Sequence, residues 1–209
     1  MIAVLSEVAE VKMGFTFRSR LENEPDGAWA VIQMKDIDNE NRLRTDQLTH
    51  IQTQTPAPKQ VVQSGDLIFR SRGQNNTAAM VDGDLKNVIL AAPLLMIRPM
   101  GSVLPSYLQW WINHPAGQAA LSGMAEGTSV RMISKDSLEK LSIPTPPISI
   151  QEQVVAIAEL VAKEQELLSR IALLTKHRLD ALLLRIVNYG EGVALANNDS
   201  NRSGKKEMP

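Results

Sequence analysis

The stretch Ile143-Pro144-Thr145-Pro146-Pro147-Ile148-Ser149-Ile150-Gln151-Glu152-Gln153 divides the chain into two kinds of sequence. Behind it lies a region punctuated by turn residues; ahead of it, residues 150–188 contain no Gly or Pro and are dominated by Ala, Leu, Glu, Gln, Lys and Arg, strong helix formers. The prolines stiffen the entry and stop whatever precedes them. Ser149 is placed as an N-cap, with Glu152 at capping-box spacing, and Gly190 stands where a C-cap glycine belongs. The pattern predicts one helix of about 38 residues, roughly 57 Å long, against a mean of about 11–12 residues for globular proteins.

A helix of that length cannot lie wholly against a domain of the size that precedes it. With Val154 as heptad position a, the a and d positions are Val154, Ile157, Val161, Glu164, Leu168, Ile171, Thr175, Arg178, Leu182 and Arg185; Leu160, Leu167, Leu174 and Ala181 follow at g. The stripe is wide and drifts toward Leu179, Leu183 and Ile186, which suits burial against more than one helix. Val154, Ile157, Val161, Leu168, Ile171, Leu174 and Leu182 are therefore the expected dimer or partner interface. Setting Leu168 against Ile171 of an antiparallel copy aligns Glu164 with Thr175, near Lys176 or Arg178, whereas a parallel pair stacks Glu164 on Glu164.

Upstream, short strand candidates recur: Trp29 to Met34, Leu67 to Arg70 after the turn Ser64-Gly65-Asp66, and Thr77 to Val81 before Asp82-Gly83. Val88 to Ile97 is an apolar run interrupted by Pro93, which suggests an edge strand or bulge. Residues 4–11 fit a short helix or a strand. Pro105 opens a helix to Asn113; a second short helix follows Pro115 toward Leu121 and stops before Gly123. Trp110 and Trp111 are adjacent, so at least one should reach the core. The expected fold is α+β: an irregular domain over 1–149, a long helix over 150–188 that projects and forms an antiparallel coiled coil in a dimer, and a disordered tail over 189–209 rich in Gly, Asn, Ser and Lys.

Composition narrows the function. The 209 residues include 22 Lys+Arg, 23 Asp+Glu and no cysteine, so disulfides, thiolate nucleophiles and thiolate metal sites are excluded. The N-terminus has no basic region ahead of an apolar run, and no stretch approaches the roughly 18 apolar residues of a membrane span, so a soluble cytoplasmic protein is expected. The net charge of -1 argues against a nucleic-acid partner, but it hides a gradient: residues 1–58 hold six basic and nine acidic side chains, residues 59–149 eight and six.

Catalytic signatures are missing. His50, His114 and His177 are far apart, without HxH or HExxH spacing, and neither a phosphate loop nor a dinucleotide fingerprint is present. Asp36-Ile37-Asp38-Asn39-Glu40-Asn41 matches a calcium loop only in its first positions. Asp66 with Asp84-Leu85-Lys86 has the residue types of a Mg²⁺-dependent nuclease, but both aspartates sit in turn signals. Thr145-Pro146-Pro147-Ile148 lacks the amide and the aromatic of an amino-methyltransferase motif. No catalytic residue, metal or cofactor is expected. Two basic knots without nearby acids, Arg70 to Asn76 and Arg18-Ser19-Arg20, read either as solvated loops or as nucleic-acid contact loops. On the contact reading, Arg70 and Arg72 meet phosphates or guanine edges and Gln74, Asn75 and Asn76 meet base edges, with Arg18, Arg20, Gln33, Thr128, Ser129 and Arg131 in support.

Several stretches, in order, resemble the specificity subunits of type I restriction–modification systems: Glu7-Val8-Ala9-Glu10-Val11 with Gly14, Gly65 to Gly73 with Asn75 to Ala79 behind it, Gly127 to Ile133, Leu138 to Ile143, and the linker from Ile143 to Gln153. The resemblance covers residues 4 to about 188. It implies a target-recognition domain followed by a spacer helix, on double-stranded DNA, with methyltransferase (modification) subunits and a restriction/translocase subunit as partners. Full-length members resemble two such units in tandem with antiparallel helices. This sequence carries one, so the resemblance implies a half-length subunit whose homodimer reads two half-sites. The rival from another class is a coiled-coil adaptor or antagonist that does not bind DNA.

Overall fold

Leu67, Ile68 and Phe69 are consecutive and fully buried. Side chains of a strand alternate between faces, so three in a row are buried only if both faces of the sheet are covered. In the computed structural model, which describes residues 1–54, 56–73, 75–125 and 131–200 and side chains as far as Asn188, both are. β1 (Ile2–Val4), α1 (Leu5–Val8) and β2 (Ala9–Met13) open the chain. β3 (Trp29–Ile32), β4 (Thr49–Ile51), β5 (Leu67–Arg70), β6 (Ala78–Met80), β7 (Val88–Leu90) and β8 (Leu94–Pro99) follow. Then come α2 (Pro105–Asn113), α3 (Pro115–Met124), α4 (Lys135–Leu138), β9 (Ser142–Pro144) and α5 (Ile148–Ser200). The architecture is α+β.

β5 lies inside an antiparallel sheet of order β2-β8-β5-β6. Leu67 and Phe69, with Val11, Leu95 and Ile97, face a helical layer built on Leu5, Tyr107, Leu108, Ile112, Leu121 and Leu138. Ile68, with Leu94 and Met96, faces the other way onto Ala30, Ile32, Val88 and Leu90. Those residues belong to a smaller sheet of order β4-β3-β7, in which β3 runs parallel to β7. The far face of that sheet, Val31, Ile51, Ile89 and Ala91, is covered by Phe15, Phe17, Leu21 and Trp29. A Cβ on Gly14 would lie 2.6 Å from the Ala91 backbone, so this crossing requires glycine. β1 and β9 form a separate antiparallel pair.

Some expectations are corrected and others are sharpened. The run Val88 to Ile97 is not one interrupted strand: Pro93 sits in a turn that carries the chain from β7 in the small sheet to β8 in the large one. Residues 4–11 hold both candidates in succession, a single helical turn and then β2. α3 continues past Gly123 to Met124. Trp110 and Trp111 both pack, half-buried, against the helical core, and Trp111 Nε1 donates to the Ser142 carbonyl at 3.3 Å. α5 starts at Ile148, so Ser149 is inside the helix; the Pro147 carbonyl accepts the N–H groups of Ile150 and Gln151 at 2.9 and 3.1 Å. The helix runs past Gly190 to Ser200.

The chain divides into two compact units, Met1–Ile157 and Ala158–Pro209. The division falls within α5 because the first turns of that helix are bound into the domain. Gln151 is fully buried: its Oε1 accepts from Leu104 N at 2.9 Å, and its Nε2 donates to the carbonyls of Ser102 and Pro146 at 3.2 and 2.9 Å. Val154 is half-buried against the helical core rather than free on the stripe. Among the described residues, no helix is long and apolar enough to cross a membrane.

Two buried carboxylates test this frame. Asp66, 2% exposed at its side chain, takes a bidentate pair of bonds from Arg98 at 2.7 Å each and accepts from Gln63 N at 2.8 Å. Asp66→Ala leaves Arg98 without its partner, and we expect a loss of about 3 kcal/mol in denaturant unfolding; a loss below about 1 kcal/mol would contradict the assigned role. Asp36 is buried and accepts from Gln33 N at 2.8 Å; desolvation pushes its carboxyl above the usual range. An acid whose folded value is raised binds more protons folded than unfolded, so its contribution falls as pH rises from the ordinary value through the raised one. Asp36→Asn keeps an acceptor without the charge. Its melting temperature relative to wild type should rise across that window, and a pH-independent difference would refute the assignment.

Candidate nucleic-acid interface

After Arg70 the chain leaves the large sheet, and the next residues pair with a segment some sixty positions away in sequence. Arg72 bridges antiparallel to Met132, Gly73 N donates to the Arg131 carbonyl at 3.1 Å, and Ile133 N donates to the Ser71 carbonyl at 2.8 Å. Ser71 is buried and its hydroxyl donates to the Pro93 carbonyl. Gly73 has φ +126, a conformation other residues rarely adopt. This short ladder brings the exposed Arg72 and Arg131 together, on alternate sides because neighbouring residues of paired strands alternate. Arg131 Nη1 also donates to Ser122 Oγ on α3 at 3.1 Å.

A third segment joins them. Residues 37–43 form a closed hairpin, with Ile37 bridged to Leu43. Asp38 Oδ1 accepts the N–H groups of Glu40 and Arg42 at 3.0 and 2.9 Å, and Asp38 N donates to the Arg42 carbonyl at 3.0 Å. Asn41 takes φ +58, which asparagine tolerates. Three bonds tie this hairpin to the 70–77 segment. Arg70 Nη2 donates to the carbonyls of Ile37 and Asp38, the second at 2.9 Å, and Thr77 Oγ1 bonds Asn41 Oδ1 at 2.5 Å.

The residues expected to touch DNA thus fall into different positions. Arg72, Asn75 and Arg131 are exposed at the loops. Arg70 is half-buried with its guanidinium occupied by the hairpin, so it stands behind the surface rather than on it. Asn76 is buried: its Nδ2 donates to the Arg70 carbonyl at 2.9 Å, and its own carbonyl accepts from Gln118 at 3.0 Å. Gln33 Nε2 donates to Thr49 Oγ1 at 2.8 Å. Arg18 and Arg20 are exposed in a segment whose bonds run to β4, through Glu24 N to the His50 carbonyl at 2.9 Å and Ala28 N to Gln52 Oε1 at 3.2 Å. Gln74, Thr128 and Ser129 lie outside the described residues.

Sequence reasoning missed Asn39, Arg42 and Arg44, all exposed on or beside the hairpin. The available signal was the Asp36–Asn41 run that resembles a calcium loop. Its Asp38 is an Asx-turn residue, capping backbone donors instead of holding a cation. Of the nuclease-like pair, Asp66 is buried against Arg98 and Asp84 is exposed. Among the described residues, no group of three or more His, Asp or Glu could hold a metal ion.

Comparison with known proteins bears on what such loops serve. No curated protein matches the chain in sequence. Among solved structures it is similar to a chain from work titled as the structural basis of complex assembly and conformational transition of the type I R-M system. The TM-score is 0.69 at 21% identity, covering 87% of this chain and 43% of that one. It is also similar to the HsdS subunit from Thermoanaerobacter tengcongensis, with a TM-score of 0.59 at 21% identity over 78% of this chain and 37% of that one. A third is the type I restriction–modification S subunit from M. genitalium, with a TM-score of 0.53 at 12% identity over 79% and 40%. The chain spans about two fifths of the length of these structures, and at such identities they speak to the fold. The sequence itself matches the family described as the type I restriction modification DNA specificity domain over residues 2–173, and with most of its length so matched, the chain belongs to that family.

Proposed function

We propose that this chain is a non-catalytic, cytoplasmic specificity subunit of a type I restriction–modification complex. It binds double-stranded DNA, reads one half-site per protomer and docks the methyltransferase subunits, with a restriction/translocase subunit joining the assembly. It uses no cofactor of its own. The observation that carries this reading is the family match over 2–173, which takes in both the converging loops with Arg72 and Arg131 and the first part of α5. A net charge of -1 fits a subunit making few phosphate contacts itself and supplying discrimination through directional side chains. Partners then supply much of the affinity.

Val161, Leu168, Ile171, Leu174 and Leu182 are exposed along α5, an apolar stripe that a second copy would cover. Glu164 and Arg178 interrupt that stripe two heptads apart. In the antiparallel register that sets Leu168 against Ile171 of the partner, each Glu164 lies one layer from the partner's Arg178, so the face is self-complementary in one direction only. The same stripe also suits helices of the modification subunits.

The DNA reading is tested by selection from a random duplex pool in the presence of a cognate modification subunit. Enrichment of a defined sequence supports it; no enrichment favours a coiled-coil adaptor that never touches DNA. Arg72→Ala should weaken binding and reduce the slope of log affinity against log salt by about 1 if the residue contacts a phosphate. Unchanged affinity and slope would remove Arg72 from the interface. For the dimer, Glu164→Arg and Arg178→Glu should each weaken self-association by about tenfold, and the double exchange should restore it. Light scattering across a dilution series reads this directly; a wild-type monomer throughout would refute the homodimer.

A further inference from the structure

We infer that the hairpin 37–43 is a second base-reading element, entering a groove of the bound duplex beside Arg72, and that Arg70 is the residue that positions it. The inference rests on the DNA-specificity reading and adds to it a set of contacts on a different segment. The hairpin is ordered before any ligand arrives: its turn is closed by Asp38, its base by the Ile37–Leu43 bridge, and its αL position is filled by asparagine. It is also held in place. The two carbonyls on Arg70 and the Asn41–Thr77 bond fix it to the same segment that carries Arg72. A reading element held this way loses little freedom on binding, which favours discrimination between sequences.

The tip has the chemistry for that task. Asn39, Glu40 and Arg42 are exposed, and among the described residues their side chains make no hydrogen bond or ion pair. Asparagine pairs with adenine, arginine with guanine, and a carboxylate accepts from the cytosine amino group, so three different base preferences sit on one narrow ribbon. The major groove, about 12 Å wide, admits a two-stranded ribbon of this kind. Behind the tip, a cleft of about 340 Å³ is lined by Asn41, Arg42 and Leu43 of the hairpin and by Asp82 and Gln109 of the domain body. Arg44, whose side chain is 70% exposed, stands at the ribbon's base, 3.9 Å from Asp38, where a phosphate would compete for it. Arg70 itself is too withdrawn to reach a base; its charge is spent on orienting the two carbonyls at the root of the ribbon.

The test is selection from a random duplex pool with the wild-type subunit in complex with its modification subunit, repeated with Asn39→Ala, Glu40→Ala, Arg42→Ala and Arg70→Met. The first three change only exposed side chains. Each should relax discrimination about tenfold at one or two positions of the selected site while preferences elsewhere persist. Arg70→Met, with folding verified by thermal melting, should relax the same positions without shifting those that depend on Arg72. Selected sequences indistinguishable from wild type in all three tip variants, with affinities within about twofold, would overturn the inference while leaving the function standing. Failure of the wild type to enrich any sequence would overturn both. Arg70→Met that changes every position equally would overturn the positioning role alone.

Discussion

The double burial of β5 is the constraint on which the recognition domain rests. A strand buried on both faces needs a layer on each side, and the chain supplies helices on one and a second sheet on the other. The two ends of the strand then carry charge at the margin of the core. Asp66 at one end is neutralised by Arg98. Arg70 at the other donates through its Nη2 to backbone carbonyls of a hairpin more than thirty residues upstream. The first arrangement locks the strand into its sheet. The second uses the strand's rigidity to fix a loop, so the placement of the hairpin follows from the packing of Leu67, Ile68 and Phe69.

The same logic separates residues that build the surface from residues that form it. Arg70 and Asn76 have side chains suited to DNA, yet both are spent holding adjacent loops in register. Arg72, Arg131, Arg42 and Asn39 stand outside that framework. In α5, Gln151 and Val154 serve the domain, while the apolar residues from Val161 onward are exposed. Each segment thus passes from anchoring to presentation within a few residues.

Much of this order was legible from local pattern. The Pro-rich linker, the Gly- and Pro-free stretch after it, the apolar Leu67–Phe69 run and the Pro105 helix start are all short-range signals, and each led to the right kind of element. What escaped were consequences of pairing over distance. Nothing near Pro93 indicates that it joins strands of two different sheets. Nothing near Arg70 indicates that its guanidinium meets residues 37 and 38. Ser149 satisfies the local rule for an N-cap, but the Pro147 carbonyl is positioned to start the helix two residues earlier. The hairpin shows in the sequence as a pattern of Asp and Asn that resembles the start of a cation loop, because the spacing of an Asx turn and the first half of a calcium loop share the same residues.

Amide hydrogen exchange of the subunit, in complex with its modification partner, with and without its selected duplex, separates reading by these loops from work done by the helix. Slowed exchange is expected only at residues 37–44, 71–77 and 131–133, with the β5 core unchanged because it is already protected. Slowed exchange that leaves these three segments untouched and appears only along 158–188 would contradict that expectation, and would place this chain's work in its helix rather than in its loops.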